Sequence, residues 1–235
     1  MLNRGTPSGH RQRGLSLVEL LVGITVGLFI VVGASLVVST QLGENRRLLM
    51  ETQLQQDLRA SADIITRELR RAGFWGTAQQ GIWRPGAPAV VANPFSAVSP
   101  ASAPASETVF RYRRRPTEEG PFGFKLDDNG AIRSLIGDAW QELTDPAVMR
   151  VTAFTVTPQP VSAGFPVKIP CPHACSADPT DTSCWPTLAV REYVVDITAQ
   201  ARNDITVQRN LRTRVRLRND AVVFDPALGG DVCPP

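Results

Sequence analysis

The order of apolar and polar residues divides the chain into stretches of different periodicity. From Leu20 to Val38, nineteen consecutive residues carry no charge, and most are Leu, Val, Ile, Gly or Phe. At 1.5 Å per residue, a helix of that length crosses most of a bilayer's hydrocarbon core. After Thr40 the composition turns to Gln, Arg, Glu and Leu. Leu54, Leu58, Ile65, Leu69 and Ala72 then recur at spacings of four, seven, four and three. That is one face of an amphipathic helix, with Asp57, Arg59, Asp63, Arg67, Glu68 and Arg70 largely elsewhere around it. No proline interrupts residues 15–72, and Gly73 with Gly76 supplies a stop. Read as one helix, residues 15–72 span about 87 Å, far more than one small domain can cover. The first half must therefore pack on lipid or on other helices, and the second half on its own domain.

Beyond the helix, residues 84–106 are rich in Pro, Ala and Ser and read as a surface connection. Phe74 and Trp75, at the helix end, read as ordinary core residues. Strand-like alternation follows in Thr108–Arg113, then in Phe124–Leu126 and Ala131–Leu135 on either side of Asp127-Asp128-Asn129-Gly130. Asn-Gly between alternating segments predicts a hairpin. The acidic pair is turn chemistry, because it lacks the spaced carboxylates of a calcium loop. Val148–Thr157, Leu188–Ala199 and Ile205–Arg218 complete an antiparallel set. About six strands after one long helix predict an α+β fold, the helix laid on one face of an antiparallel β-sheet.

Charge sharpens the picture at the N-terminus. The formal net charge is +3, but Arg4, Arg11 and Arg13 lie in the first 14 residues without an acid. Without them Lys+Arg falls from 25 to 22, equal to Asp+Glu. The global charge therefore asks for neither nucleic acid nor an acidic substrate. The three arginines precede the apolar run, so the positive-inside rule keeps the N-terminus cytoplasmic and carries the rest across the membrane. The apolar run is too long for an ordinary cleaved signal peptide, and no A-x-A-like site follows it.

A plain anchor would not need Glu19, a carboxylate set at the start of the apolar run. Such a group is costly, on the order of a few kcal/mol, and marks a function or a partner. The local sequence is Gly14-Leu15-Ser16-Leu17-Val18-Glu19-Leu20. It resembles the prepilin peptidase site of type IV pilins and pseudopilins: a glycine, a cut, then an apolar stretch with glutamate at the fifth position. The resemblance implies cleavage between Gly14 and Leu15 and N-methylation of Leu15. It implies too that the Glu19 carboxylate meets the terminal amine of a neighbour in a helical stack. Pairing the two charges at low dielectric offsets the cost of each and fixes register. Leu15 departs from the phenylalanine common after the cut. Gly23 and Gly27 have the G-x-x-x-G spacing that lets membrane helices approach closely.

The run Arg67-Glu68-Leu69-Arg70-Arg71-Ala72-Gly73-Phe74-Trp75-Gly76 resembles the helix ending of PilW-type minor pilins, and Arg214–Asn219 resembles their R-x-R-L-R-N ending. The resemblance implies a structural subunit that takes part in initiating or assembling a type IV pilus. The expected organisation is a leader over 1–14, a transmembrane and filament-core half-helix over 15–40 and an amphipathic half-helix over 41–73. A connecting loop over 74–107 and a periplasmic β-sheet domain over 108–235 follow. Implied partners are other minor pilins, the major pilin, prepilin peptidase, the inner-membrane assembly platform and, before assembly, membrane lipid. The implied location is the bacterial inner membrane, single-pass with the C-terminal domain periplasmic, and then the filament. A minor pseudopilin of a type II secretion system is the nearest rival; a filament-displayed adhesive or DNA-binding subunit is the other.

Cys171, Cys175, Cys184 and Cys233 all lie in the last third, three of them in a proline-rich segment that also holds His173. Beyond a membrane, an even cysteine count reads as disulfides. Two bridges allow three connectivities; the expected one joins Cys175 to Cys184 and Cys171 to Cys233. A zinc site is the alternative, but C-x-H-x-C-x8-C matches no standard finger. Arg212, Arg214, Arg216 and Arg218 alternate and so share one strand face, and Arg113, Arg114 and Arg115 form a second basic cluster. Only Tyr112 interleaves an aromatic among them, so nucleic acid is not the expected partner. There is no phosphate-binding G-x-x-x-x-G-K-[ST] motif, no G-x-S-x-G and no histidine beyond His10 and His173. No catalytic residue, metal or cofactor is expected.

Overall fold

The structure is a computed structural model that describes residues 16–81, 91–113, 115–159 and 167–223. The leader, Gly14, Leu15, Arg114 and Cys233 lie outside the described residues. The chain divides into two compact units, Met1–Leu49 and Met50–Pro235, and helix α1 (Leu17–Leu69) contributes to both. In the first unit every residue from 16 to 49 is exposed except Gly27, which is half-buried. The hydroxyls of Thr25, Ser35 and Thr40 each donate to the carbonyl four residues back, at 2.8 Å for Ser35 and 3.0 Å for Thr40. Polar atoms on this apolar helix are thus satisfied within it, as a lipid surrounding demands.

In the second unit the amphipathic stretch of α1 buries Leu54, Leu58, Ile65 and Leu69, which its periodicity singled out, together with Ser61, Ala62 and Thr66. They pack on antiparallel sheets. One is a five-stranded meander of β1 (Val98–Ser99), β2 (Glu107–Phe110), β3 (Phe122–Leu126), β4 (Ile132–Ile136) and β5 (Ala139–Glu142). The second has β6 (Met149–Gln159) and β10 (Gln208–Arg216) on either side of β9 (Glu192–Ala201). A small third sheet orders β11 (Ala221–Val223), β8 (Thr187–Ala189) and β7 (Val167–Lys168). Reciprocal bonds between Ala105 and Val156, at 3.0 and 2.8 Å, stitch the first sheet's entry loop to β6. Phe110, Phe122, Phe124 and Ile132 from the first sheet share one core with Val151, Phe154, Val195, Ile197 and Val215 from the second. The fold is α+β, a long N-terminal helix on antiparallel sheet, with the sheet divided into more pieces than alternation alone predicts.

The predicted hairpin forms between β3 and β4. Asp127 Oδ1 accepts from Asn129 N–H at 3.0 Å and Ala131 N–H at 2.9 Å, and Gly130 takes φ +81°, where glycine is unstrained. Arg133 pairs with Asp127 at 2.8 Å and with Glu142 at 3.3 Å. Desolvation works against the Asp127 carboxylate, but the bonds from Ala131, Arg133 and Asn129 outweigh it and hold its pKa below the ordinary value. The acidic pair is turn chemistry here.

Several boundaries differ from the alternation. The helix ends at Leu69, one turn before Gly73, although Ala72 stays buried. The 74–107 segment is not all surface connection: Phe95 and Val98 are buried, and the Thr108 hydroxyl donates to the Ser99 carbonyl at 2.7 Å. Two apolar residues among prolines and serines carry no periodicity, so composition hid their packing. The expected strand Leu188–Ala199 is two strands, broken where Arg191 turns inward. Its guanidinium donates to the carbonyls of Ser96 and, at 2.9 Å, Asn219. Burial of that guanidinium lowers its pKa from the usual arginine value.

Gly123 permits a close contact between strands β3 and β2. A Cβ there would stand 2.4 Å from the Thr108 carbonyl oxygen and 3.3 Å from Val109 Cγ2. Both neighbours belong to the paired strand β2, so neither can yield cheaply. Gly123→Ala is expected to destabilise the domain by about 1–3 kcal/mol, read as a lower urea midpoint of tryptophan fluorescence with the chain in detergent.

Candidate functional site

The N-terminal segment is built for contact with something outside its own chain. Leu17 is 73% exposed and Phe29 75%, and the apolar side chains between them are bare in like manner. Among the described residues one helix, near the N-terminus, is long and apolar enough to cross a membrane. Covering a leucine, isoleucine or phenylalanine stabilises by about 1.5–3 kcal/mol each, whereas an exposed ion pair contributes about 0–1 kcal/mol. Apolar cover therefore dominates the energetics of this segment.

That carboxylate, Glu19, sits in the first turn of α1 and is exposed. A helix N-terminus favours an anion. Ser16 precedes the helix, its carbonyl accepting from Leu20 N–H at 3.1 Å. Ser16 and Glu19 have the S-x-x-E spacing of a capping box, a local use for the glutamate that the motif reading overlooked. On the helix surface Gly23 and Gly27 are open, with nothing within 4 Å of a Cβ added at either.

At the other end of the helix, three segments distant in sequence converge. Gly73, at φ +81°, reverses the chain, and its N–H donates to the Arg111 carbonyl at 2.9 Å. The Arg113 N–H donates to the Phe74 carbonyl at 2.7 Å, and the Arg218 N–H to the Arg70 carbonyl at 3.1 Å. Asn219 Nδ2 donates to the Ala72 carbonyl at 3.1 Å, and Asn93 Nδ2 to the Gly73 carbonyl at 2.7 Å. The donors from Arg218 and Asn219 answer carbonyls that a helix end leaves unpaired. Asn219 and Asn93 thus hold this junction together, and the sequence offered no periodic signal for either. The helix ending and the R-x-R-L-R-N ending are two halves of one junction.

Phe74 and Trp75 part company there. Trp75 is buried, but Phe74 is 48% exposed, which corrects its reading as a core residue. Adjacent residues in turning chain point to different sides, and here only one side is covered.

The basic residues do not form one continuous face. Arg212, Arg214 and Arg216 are exposed along β10, while Arg218 lies beyond the strand, at the helix end. Acids interleave with them: Arg214 lies 4.0 Å from Glu192, and Arg216 lies 3.5 Å from Asp220. Arg113 pairs with Glu119 at 2.8 Å and Arg115 with Glu118 at 4.0 Å.

Cys175 and Cys184 are bonded to one another, closing a loop based on β7 and β8. Cys171 is also disulfide-bonded. The expected partner, Cys233, is outside the described residues. Sulfurs so engaged are not thiolate ligands, so the zinc alternative fails on these cysteines. Trp185 Nε1 donates to the His173 carbonyl at 2.9 Å, and Lys168 Nζ donates to the Ser183 and Trp185 carbonyls at 2.8 and 3.1 Å. The loop is held by its own side chains.

Comparison with known families gives two matches. The prokaryotic N-terminal methylation motif matches residues 9–35, the segment that carries Gly14, Leu15 and Glu19. The family described as prepilin peptidase-dependent protein B matches residues 47–217, which runs from the amphipathic half-helix to the last strand of the second sheet and just beyond it. No curated protein and no solved structure matches the chain. A processing motif on a bare apolar helix, continuous with a sheet domain matched over most of its length, identifies a processed pilin-type subunit. The chain belongs to the prepilin peptidase-dependent protein B family and is a type IV pilin-like protein of the minor pilin kind.

Proposed function

We propose that the protein is a structural minor pilin that takes part in initiating or assembling a type IV pilus. Prepilin peptidase cuts between Gly14 and Leu15, and the new amine of Leu15 is methylated. The chain waits in the inner membrane as a single-pass protein with its sheet domain in the periplasm, then enters the filament beside other minor pilins and the major pilin. The inner-membrane assembly platform is the machine it meets on the way.

The observation that carries this reading is the joint presence of a methylation motif and a helix whose N-terminal half leaves its apolar side chains exposed. Lipid covers such a surface before assembly, and other pilin helices cover it afterwards. Glu19 then aligns the stack by meeting the Leu15 amine of a neighbour. Disulfides suit the periplasmic side.

Deleting the gene and counting surface filaments by electron microscopy tests this role. The expected result is a sharp loss of filaments, restored by the intact gene, with the protein present in sheared filaments as a minor component. Normal filaments together with failed protein secretion would place the chain in a type II secretion system instead.

A further inference from the structure

The junction at the helix end encloses a cleft of about 480 Å³ lined by Arg70, Arg71, Phe74, Tyr112, Arg113, Arg218 and Asn219. Four guanidiniums meet there, from three separate parts of the chain. Two have carboxylate partners: Arg71 with Glu68 at 3.1 Å and Arg113 with Glu119 at 2.8 Å. Among the described residues no carboxylate pairs with Arg70 or Arg218, and both are exposed. The cleft therefore carries an excess of positive charge. A helix C-terminus favours cations, which accounts for Arg70 and Arg71. It does not account for Arg218, delivered from beyond β10 by its backbone bond to Arg70.

Phe74 is the second unexplained feature. It is a half-exposed aromatic ring among cations, on a chain segment whose backbone is fixed by Arg113. Its neighbour Trp75 supplies the core anchor, so the fold has no use for a bare Phe74. Guanidiniums receive carboxylates through paired hydrogen bonds, and an aromatic ring beside them takes an apolar side chain or stacks on a planar one.

We propose that this cleft receives a short acidic segment of a neighbouring filament subunit, its carboxylates on Arg70 and Arg218 and an adjacent apolar or aromatic side chain on Phe74. The identity of the partner as a filament subunit rests on the function proposed above. The chemistry favours peptide over nucleic acid. Tyr112 is buried, so Phe74 is the cleft's one exposed aromatic, whereas single strands need a succession of stacking platforms. Glu192 and Asp220 interrupt the arginines that lead away along β10, so no unbroken basic track follows a phosphate backbone.

The test uses the full mature chain in detergent micelles and a fluorescent peptide, acetyl-Glu-Glu-Phe-Glu, read by anisotropy. Saturable binding that weakens with added salt is expected, with no binding of the Gln-Gln-Phe-Gln peptide. Arg218→Gln and Phe74→Ala should each weaken binding about tenfold, while the urea midpoint stays that of the wild type. Arg70→Gln provides a second cation variant if either of these unfolds. Absent binding, or binding indifferent to both Arg218→Gln and Arg70→Gln, overturns the proposal. A short DNA duplex that binds this cleft in place of the peptide overturns it as well. The assay requires no filament, so its failure leaves the pilin reading standing; peptide binding without incorporation into filaments would fault that reading instead.

Discussion

Glu19→Val is expected to leave the precursor cleaved and membrane-bound but nearly absent from filaments. On the proposed function, processing after Gly14 leaves a cationic amine at Leu15 beside apolar surroundings, and Glu19 is the nearest anion along the helix. Once the helix is packed among others, breaking the pair leaves the amine of a neighbour buried alone, which costs on the order of 3–5 kcal/mol. That is more than a hundredfold in occupancy. The apolar face is intact in this variant, so membrane insertion should not suffer.

The capping-box spacing of Ser16 and Glu19 gives a competing use for the same side chain, and Glu19→Gln separates the two. Glutamine serves a capping box as well as glutamate does, but it carries no charge. If Glu19 acts between subunits, the Gln variant is excluded from filaments much as the Val variant is. Incorporation of Glu19→Gln at the wild-type level, quantified by immunoblot of sheared filaments against membranes, would reduce Glu19 to a cap.

The second large effect is at the cut itself. Gly14→Asp should leave almost all of the chain as uncleaved precursor in the inner membrane. A branched, charged side chain replaces the one residue with none at the position preceding the cut, and the peptidase motif requires the small residue there. The uncleaved chain also keeps Arg4, Arg11 and Arg13 tethered to the helix start. On the proposed orientation its amine lies on the cytoplasmic side, away from the Glu19 of a neighbour, so incorporation should fail with cleavage. Membrane fractions analysed by gel mobility and mass check both points, and wild-type processing of this variant would contradict the assigned site.

How much of this was legible beforehand differs by element. The helix was plain because its signals repeat: an uncharged run, then Leu54, Leu58, Ile65 and Leu69 at helical spacing, all of which are buried. The β3–β4 hairpin was plain because Asp127 and Gly130 hold the chemistry of the turn locally. What stayed hidden depends on single contacts across long sequence distances. Asn219 caps a helix that ends about 150 residues earlier, and Arg191 turns inward to reach Ser96 and Asn219. Neither leaves a periodic trace. Phe95 and Val98 were concealed by the prolines and serines around them, and Phe74 was grouped with Trp75 although only the latter is covered. At the functional end the position of Glu19 in an apolar run was legible from its cost alone, whereas the family match over residues 9–35 supplies the processing context.

The central claim is that this chain becomes a pilin-type subunit by losing residues 1–14. The most direct measurement is the intact mass and N-terminal residue of the protein purified from membranes of cells that contain prepilin peptidase. The account predicts a chain beginning at Leu15 with one methyl group on its amine, and full-length precursor when the peptidase is absent. A chain that still begins at Met1 in the presence of the peptidase, or one cut on the far side of the apolar helix, would contradict it.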